Sequence, residues 1–486
     1  MTVSPIVSPR LPSRLARFAA GFLVSLLSIG FAPAEETALD RYVARPDPTY
    51  SWSVVQEIPA EGATQLIVDL KSQTWRTEKD VDRPVWQHWL NVVKPSKPAP
   101  ATAFLFISGG GNGGGPSKGA DERTLQVAVA TGAVVAELKM VPNQPLIFHG
   151  DGKKRSEDDF IGYTWDQFLK TGDETWPARL PMVKSAVRAM DCVQELMASE
   201  RGGKVRIEKF VVAGGSKRGW TTWCTAAVDR RVAAIIPIVI DVLNVDASMR
   251  NHVAAYGFYS LAVGDYFRHR IFQRIEDPRL KQLNEIEDPY SYRERLTMPK
   301  FVINASGDEF FCPDSSQFYW EGLKGEKYLR YVPNASHNLK GTDALESMIA
   351  FYETVLSGAP RPKCSWTFEK DGSIRVKAET APKAVLLWAA TNPEARDFRL
   401  AKVGKIYSSR PIESEGGGVY VGRVEKPEKG WTAFFVELEF ETGGKFPLKL
   451  TSGVRISPET LPHAGINAAT AALEKPPASR SGAGGK

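Results

Sequence analysis

The sequence is poor in cysteine and shows no internal repeat. It holds four cysteines in 486 residues, too few for a disulfide scaffold, and none of them stands in a Cys-x-x-Cys pair. Cysteine-bound metal is therefore not expected. The chain also holds only six histidines. The sequence predicts neither a metal nor a cofactor.

A concentrated positive charge is also missing. The net charge is +6, but the cations are scattered and form no stripe interleaved with aromatic residues. Nucleic-acid binding is therefore not expected. Hydrophobic residues make up 43% of the chain and charged residues 24%, as in ordinary globular proteins. Past the N-terminal region, no segment is apolar for long enough to cross a bilayer.

Residues 1–34 are laid out like a secretory signal peptide. Arg10, Arg14 and Arg17 precede an apolar stretch at 18–31, and small residues suited to cleavage follow it. We expect an exported protein, periplasmic or secreted, that keeps no stable membrane span once the signal is removed. An uncleaved membrane anchor is the alternative.

Between residues 35 and 361, apolar runs typical of buried strands alternate with helical patterns. The runs lie at 103–108, 133–138, 207–214, 232–240, 300–307 and 327–334. This alternation predicts a mostly parallel, doubly wound sheet with helices on its faces. The aromatic-rich, helical segment at about 242–298 interrupts it, and we predict a cap insertion there.

The composition changes after residue 361. Short alternating segments separated by turn residues predict a small antiparallel β domain, sandwich-like, over 362–460. The low-complexity tail at 461–486 is predicted to be disordered.

Polar side chains follow several of the predicted strands, where open parallel sheets bind ligands. Ser216, Asp308 and His337 each follow a different strand, in the chain order of the α/β-hydrolase catalytic triad. Serine needs a base to take its proton, histidine titrates near neutral pH, and a carboxylate orients the imidazole. The pattern predicts Ser216 as nucleophile, His337 as base and Asp308 as the orienting acid.

The turn around Ser216 departs from the usual G-x-S-x-G. Gly214 and Gly215 leave room before the serine, but Arg218 occupies the second position after it and glycine comes only at Gly219. A plain structural turn is the alternative interpretation of this motif.

The acid and the base each have competitors. Asp314 lies close to Asp308, where it would cap a helix, and Asp241 follows the preceding strand. Of the histidines, only His337 and His463 follow Asp308, and His463 lies at the start of the tail.

An oxyanion hole needs two preorganised donors. We assign one to the backbone N–H of Lys217 and the other to the glycine-rich loop, at Gly110 or Gly111. The side chains of Lys217 and Arg218 would add positive potential, or else point to solvent or pair with acids. Asn143, Gln144, Arg218 and Asp241 are candidate substrate contacts, with loop stabilisation as the alternative for the two amides.

The same loop resembles a dinucleotide-binding fingerprint. Gly109, Gly111 and Gly114 satisfy G-x-G-x-x-G after a strand, and Glu137 follows. Pro116, however, stands where a helix should be running, and an exported protein has little access to NAD. We therefore disfavour a dinucleotide.

Several long motifs resemble one family, the PhoPQ-activated pathogenicity-related proteins. The motifs are GGSKRGWTTW, ELKMVPNQPLIF, PIVIDVLN, ASGDEFFCPDSS and PNASHNL, and the resemblance extends over about 40–460. The family consists of secreted bacterial proteins similar to α/β-hydrolases. The resemblance implies Ser216, Asp308 and His337 as the triad and leaves the substrate open.

A second, local resemblance is to glucuronoyl esterases. Their serine is also followed directly by a basic residue, with a glycine later, as Lys217 and Gly219 are here. This resemblance implies esters of sugar acids as one substrate class.

Together these patterns predict an exported serine hydrolase of α/β-hydrolase fold. Its substrate would be a small-molecule, peptide or carbohydrate ester or amide, held by the cap and the loops at 143–180. The competing prediction is a non-catalytic secreted protein that binds or signals on the same fold.

Overall fold

A nine-stranded mixed sheet forms the centre of the computed structural model, which describes residues 36–99 and 101–476. The strands are β1 Ser51–Ala60, β2 Ala63–Thr74, β3 Val85–Pro95, β4 Thr102–Ile107, β5 Val135–Leu138, β6 Leu146–Ile147, β7 Lys154–Arg155, β8 Lys209–Gly215, β9 Val232–Ile238, β10 Lys300–Ala305, β11 Lys327–Val332, β12 Cys364–Phe368, β13 Ile374–Ala378, β14 Ala384–Asn392, β15 Ser408–Pro411, β16 Ser414–Gly416, β17 Val419–Gly422, β18 Trp431–Phe440, β19 Leu448–Thr451 and β20 Arg455–Ser457. The helices are α1 Ala38–Ala44, α2 Glu122–Thr131, α3 Glu157–Thr171, α4 Arg179–Ala198, α5 Lys217–Val228, α6 Val245–Tyr256, α7 Gly264–Arg268, α8 Pro278–Glu287, α9 Ala344–Ser357 and α10 Leu400–Val403.

The strand order of the main sheet is β1-β2-β3-β5-β4-β8-β9-β10-β11. The pairs from β5 to β11 are parallel, and β1, β2 and β3 join antiparallel at one edge. Each apolar run predicted to be a buried strand is one of these parallel strands. β5 and β10 are buried along their whole length because helices cover both faces, which explains their lack of alternation. The predicted α/β-hydrolase fold is confirmed.

The segment between β9 and β10 forms the predicted helical cap. It contains α6, α7 and α8 together with short 3₁₀ turns at Leu261–Val263 and Phe272–Arg274. α8 begins with Pro278 in its first turn, behind an Asp277 side chain that accepts from the N–H of Arg279.

The C-terminal region is antiparallel, as predicted. One sheet has the order β12-β13-β17-β16 and the other β15-β14-β18-β19, with β20 paired to β18. This region packs directly on the main sheet: the N–H of Tyr331, in β11, donates to Oγ1 of Thr451 at 2.9 Å. The chain from Thr37 onward forms one compact unit.

Residues 461–476, which we call the C-terminal strap, differ from the predicted disorder. Tyr259 in the cap donates its N–H to the carbonyl of Ala472 and accepts from the N–H of Glu474, at 2.8 and 2.7 Å. The Glu474 carboxylate is bound by Nη1 of Arg399 at 2.7 Å. Composition alone does not reveal this order, because the partners lie far away in sequence. The last ten residues of the tail and the predicted signal peptide lie outside the described residues.

Two further observations concern membrane-spanning helices and cysteine chemistry. Within the part of the chain that the structure describes, no helix has the length and apolar character of a membrane span. Cys192, Cys224, Cys312 and Cys364 are all free thiols.

Candidate active site

Ser216 lies on a sharp turn between β8 and α5. Its backbone angles are φ 55° and ψ −125°, which place a non-glycine residue in a strained conformation. The turn is held from both sides, since the N–H of Ser216 donates to Ile238 at 2.8 Å and its carbonyl accepts from Trp220 at 2.9 Å. Strain of this kind is characteristic of a serine nucleophile exposed above a sheet.

The turn depends on Gly214 and Gly219, whereas the sequence predicted Gly214 and Gly215. A Cβ on Gly214 would lie 2.7 Å from the backbone of Arg218, and one on Gly219 would lie 2.9 Å from the carbonyl oxygens of Gly214 and Ile238. A Cβ on Gly215 would meet nothing within 4 Å. The close approach therefore requires Gly214 and Gly219, and the room assigned to Gly215 is not needed.

Asp308 and His337 are in direct contact. They occupy the loops after β10 and β11, and Nδ1 of His337 lies 2.8 Å from Oδ2 of Asp308. Asp308 also accepts from the N–H of Phe310 at 2.8 Å. Its side chain is 3% exposed, so its charge acts on the imidazole with little screening by solvent.

Neighbouring charges set the protonation of His337. Burial lowers the pKa of this imidazole, whereas the charge and hydrogen bond of Asp308 and the charge of Glu309 raise it. The carboxylates outweigh burial, so the pKa of His337 lies above the ordinary value of 6.5.

The structure shows no hydrogen bond between the Ser216 hydroxyl and His337. Nε2 of His337 is buried and has no hydrogen-bond partner among the described residues. Ser216 lines the pocket together with Phe310, whose ring centroid is 4.3 Å from that of His337. The free Nε2 is the nitrogen that would receive a proton.

The glycine-rich loop lies against the serine turn. A Cβ on Gly109 would come 2.8 Å from Nη2 of Arg218, and Gly110, at φ 132°, has its carbonyl bound by Gln144 at 3.3 Å. The N–H groups of Gly110, Gly111 and Lys217 donate to no backbone acceptor in the described chain. These are the three donors assigned to the oxyanion hole.

The two cations after Ser216 are paired with acids at the start of α3. Nζ of Lys217 lies 2.9 Å from Asp158 and 3.1 Å from Glu157, and Arg218 binds Glu157 through two nitrogens at 2.7 and 2.8 Å. Burial raises the pKa of Glu157, but Arg218 and Lys217 outweigh it and hold that pKa at about 2. We call these four residues the elbow charge cluster.

Sequence reasoning missed the acidic half of this cluster. The signal was present, because Glu157, Asp158 and Asp159 stand at the N-terminus of a helix, where acids are favoured. What it did not reveal was their proximity to a turn some sixty residues later.

Asn143 and Gln144 contact protein groups. Asn143 is buried and donates to the carbonyls of Gln87 and Met140. Gln144 donates to Glu157 at 2.5 Å and accepts from the N–H of that residue at 2.7 Å. Both amides thus serve the loop-stabilising alternative, and neither lines the pocket.

Asp241, the competing acid, is hydrogen-bonded to two tyrosines and not to His337. It is buried, and its two oxygens accept from the hydroxyls of Tyr319 and Tyr331, each at 2.6 Å. Burial raises the pKa of Asp241 to about 8 against the opposing effect of these hydrogen bonds. Asp314, the other competitor, is bound by Arg396 at 2.7 Å.

The pocket beside Ser216 is mainly apolar. It is lined by Asp158, Trp165, Ser216, Lys217, Trp220, Ile240, Val242, Val245, Met249, Val263, Tyr266, Phe272, Phe310 and Phe311. The residues at 242–272 belong to the cap, so the cap forms one wall, as predicted. Among the described residues, no group of three or more His, Cys, Asp or Glu side chains is arranged to hold a metal ion.

A strained serine turn above a mostly parallel sheet, with a helical cap, defines a protein of α/β-hydrolase fold. The chain belongs to the PhoPQ-activated pathogenicity-related protein family, whose model matches residues 39–399. A relative is the autocrine proliferation repressor protein A of Dictyostelium discoideum, 39% identical over 472 residues, which cover 90% of this chain and 94% of that protein. The family predicted from sequence motifs is confirmed.

Solved structures with similar folds include several esterases. Acetyl xylan esterase 1 from Thermoanaerobacterium sp. JW/SL YS485 has a TM-score of 0.44 and 13% identity, covering 66% of this chain and 92% of its own. The glucuronoyl esterase from Solibacter usitatus has a TM-score of 0.38 and 17% identity, covering 65% of this chain and 91% of its own.

Proposed function

We propose that this protein is an exported serine hydrolase that cleaves an ester or amide through Ser216, His337 and Asp308. The observation that supports the proposal is the contact between Asp308 and His337, whose ring lies beside Phe310, a residue that lines the same pocket as Ser216. Membership of a family with the α/β-hydrolase fold is consistent with it, but the proposal rests on the site.

Each of the three side chains acts once during acylation of Ser216 and once during hydrolysis of the acyl-enzyme. Nε2 of His337 removes the proton of the Ser216 hydroxyl as Oγ bonds to the acyl carbon. The tetrahedral oxyanion collapses, the bond to the leaving group breaks, and His337 returns the proton to that group. Water then attacks the acyl-enzyme by the same route and releases the acid and free Ser216.

Asp308 stabilises the charged imidazole and fixes its tautomer. Because Nδ1 of His337 donates to this carboxylate, Nε2 is left unprotonated and able to act as base. The developing oxyanion would be held by the N–H of Lys217 together with that of Gly110 or Gly111.

The proposal is tested with a fluorophosphonate probe, which phosphonylates an activated serine. We expect labelling of the wild type, loss of labelling in Ser216→Ala, and retention in Ser248→Ala, a buried serine whose hydroxyl only binds the carbonyl of Leu243. A folded wild type that resists the probe and hydrolyses no ester would overturn the proposal.

One observation favours a second candidate, a secreted protein that binds without turnover. Neither the hydroxyl of Ser216 nor Nε2 of His337 has a hydrogen-bond partner among the described residues, so the two groups are not joined by a proton path. The same labelling experiment separates the candidates, because a binder keeps the pocket but leaves Ser216 unreactive.

Export is part of the proposal, since it rests on residues 1–34 alone. Expression of the full chain in a Gram-negative host, followed by fractionation and N-terminal sequencing, tests it. Export predicts a periplasmic or secreted product beginning near Glu35, whereas a full-length cytoplasmic product would refute it.

A further inference from the structure

We propose that the pocket beside Ser216 accepts a short, apolar acyl group, and that esters of sugar acids are not its substrates. This inference rests on the proposed function, because it assigns the pocket to the acyl side of the bond that Ser216 would attack. The serine turn by itself does not indicate the class of substrate, whereas the lining of the pocket does.

The walls of the pocket are built for apolar contact. Most of the lining side chains are aliphatic or aromatic and fully or largely buried, from Ile240 and Val242 at the end of the sheet to Met249 and Phe272 in the cap. Burying an apolar chain against such walls is favourable, whereas burying the hydroxyl groups of a sugar ring without hydrogen-bond partners is costly.

The charges nearest to Ser216 are already neutralised. The elbow charge cluster contains two cations and two carboxylates, in contact with one another, so that its formal charges cancel. Asp158, the acid that reaches the pocket, also accepts from the hydroxyl of Tyr266 at 2.9 Å. Because both cations are already bound by carboxylates, the cluster offers no unpaired cation to the hydroxyl groups of a sugar ring.

The pocket is small and its walls are fixed. Its cavity is about 50 Å³, a few times the roughly 10–15 Å³ that one water molecule needs. The indoles of Trp165 and Trp220 pack edge to face at 5.9 Å, and both donate their N–H to Glu287, to its carboxylate at 2.6 Å and its carbonyl at 2.5 Å. Phe272 stacks on Tyr259 at 4.1 Å. Long acyl chains would therefore meet packed walls that do not yield easily.

Met249 lines the pocket from the cap side. It lies on α6 and is 5% exposed. Replacing its flexible side chain by alanine would enlarge the pocket without changing the sheet. Met348 on α9 is a matched control, because it is 7% exposed on a helix outside the pocket.

The experiment compares kcat/KM for p-nitrophenyl acetate, butyrate and octanoate and for benzyl glucuronate. We expect acetate or butyrate to exceed both octanoate and the glucuronate ester by about tenfold or more. Met249→Ala is expected to raise the octanoate-to-acetate ratio about tenfold, whereas Met348→Ala leaves that ratio unchanged.

The outcomes separate this inference from the proposed function. If Ser216 is labelled by the fluorophosphonate but octanoate or the glucuronate ester is the best substrate, or if Met249→Ala leaves the ratio unchanged, the inference on the acyl group is wrong and the hydrolase stands. If Ser216 is not labelled and no ester is cleaved, both are overturned.

Discussion

The carboxylate of Asp308 contacts Nδ1 of His337 with both oxygens, at 2.8 and 3.1 Å. Asp308→Asn is expected to lower kcat about 10³- to 10⁴-fold, because an amide cannot stabilise the imidazolium and can favour the wrong tautomer. The measurement is hydrolysis of p-nitrophenyl acetate. Asp241→Asn is the control, since Asp241 is bound by tyrosines. A large loss in Asp241→Asn with little in Asp308→Asn would transfer the role of the acid to Asp241.

The raised pKa of His337 predicts the acid side of the pH profile. Only the neutral imidazole acts as base, so kcat/KM falls as the pH drops through a pKa above 6.5. Glu309 contributes to this rise and its carboxylate accepts from the N–H of His337 at 3.0 Å. Glu309→Gln keeps an acceptor but removes the charge, so we expect the acid limb to move to lower pH with kcat largely retained. An unmoved limb would contradict this assignment.

Three glycines at the serine turn give a graded test of the strain. Gly214→Ala and Gly219→Ala would bring a Cβ within 3 Å of backbone atoms, so we expect loss of fluorophosphonate labelling and lower stability. Gly215→Ala is the matched control, because its Cβ would enter open space. Thermal unfolding and labelling are measured for all three. Wild-type labelling and stability in all three variants would show that the turn accommodates a Cβ at each position without loss of stability.

Asp241 makes stability depend on pH in a direction opposite to that of most carboxylates. Burial raises its folded-state pKa to about 8, so the folded protein holds a proton that the unfolded chain, with an ordinary aspartate pKa of about 3.9, has already released. Its contribution is therefore fully present at acid pH and is lost as the pH rises towards 8.

The test of this linkage is Asp241→Asn, which preserves polar contacts to Tyr319 and Tyr331. We expect the stability of the variant relative to wild type to increase by about 1 to 3 kcal/mol between pH 5 and pH 8. Denaturant unfolding at the two pH values measures it. A difference that does not change with pH would mean that Asp241 stays ionised.

The C-terminal strap is expected to stabilise the cap. Ending the chain at residue 460 removes two backbone hydrogen bonds to Tyr259 and the ion pair of Glu474 with Arg399, so we expect a loss of at least about 1 to 3 kcal/mol and weaker turnover of short esters. Ending it at residue 476 is the control, which retains all of these contacts. Identical melting temperatures for the two truncations would show that the strap does not stabilise the protein.

Much of the fold could be predicted because it depends on local patterns. A strand covered on both faces must be apolar along its length, so β8 and β10 stand out in the sequence, and the helical cap stands out as the interruption between β9 and β10. The ordered strap could not be predicted in this way, since its composition is typical of disorder and its partners, Tyr259 and Arg399, lie far away in the chain.

The sequence by itself determined which residues could do chemistry here: a serine on a tight turn, a histidine and an aspartate after later strands, and a glycine-rich loop. Only the tertiary structure decided how they are combined. It pairs His337 with Asp308 and gives Asp241 to two tyrosines, it neutralises Lys217 and Arg218 with acids from α3, and it makes Gly219 rather than Gly215 the second close contact. The physical reason is that strand burial and turn chemistry are local properties, whereas pairing of charges and packing of side chains depend on distances that exist only once the chain has folded.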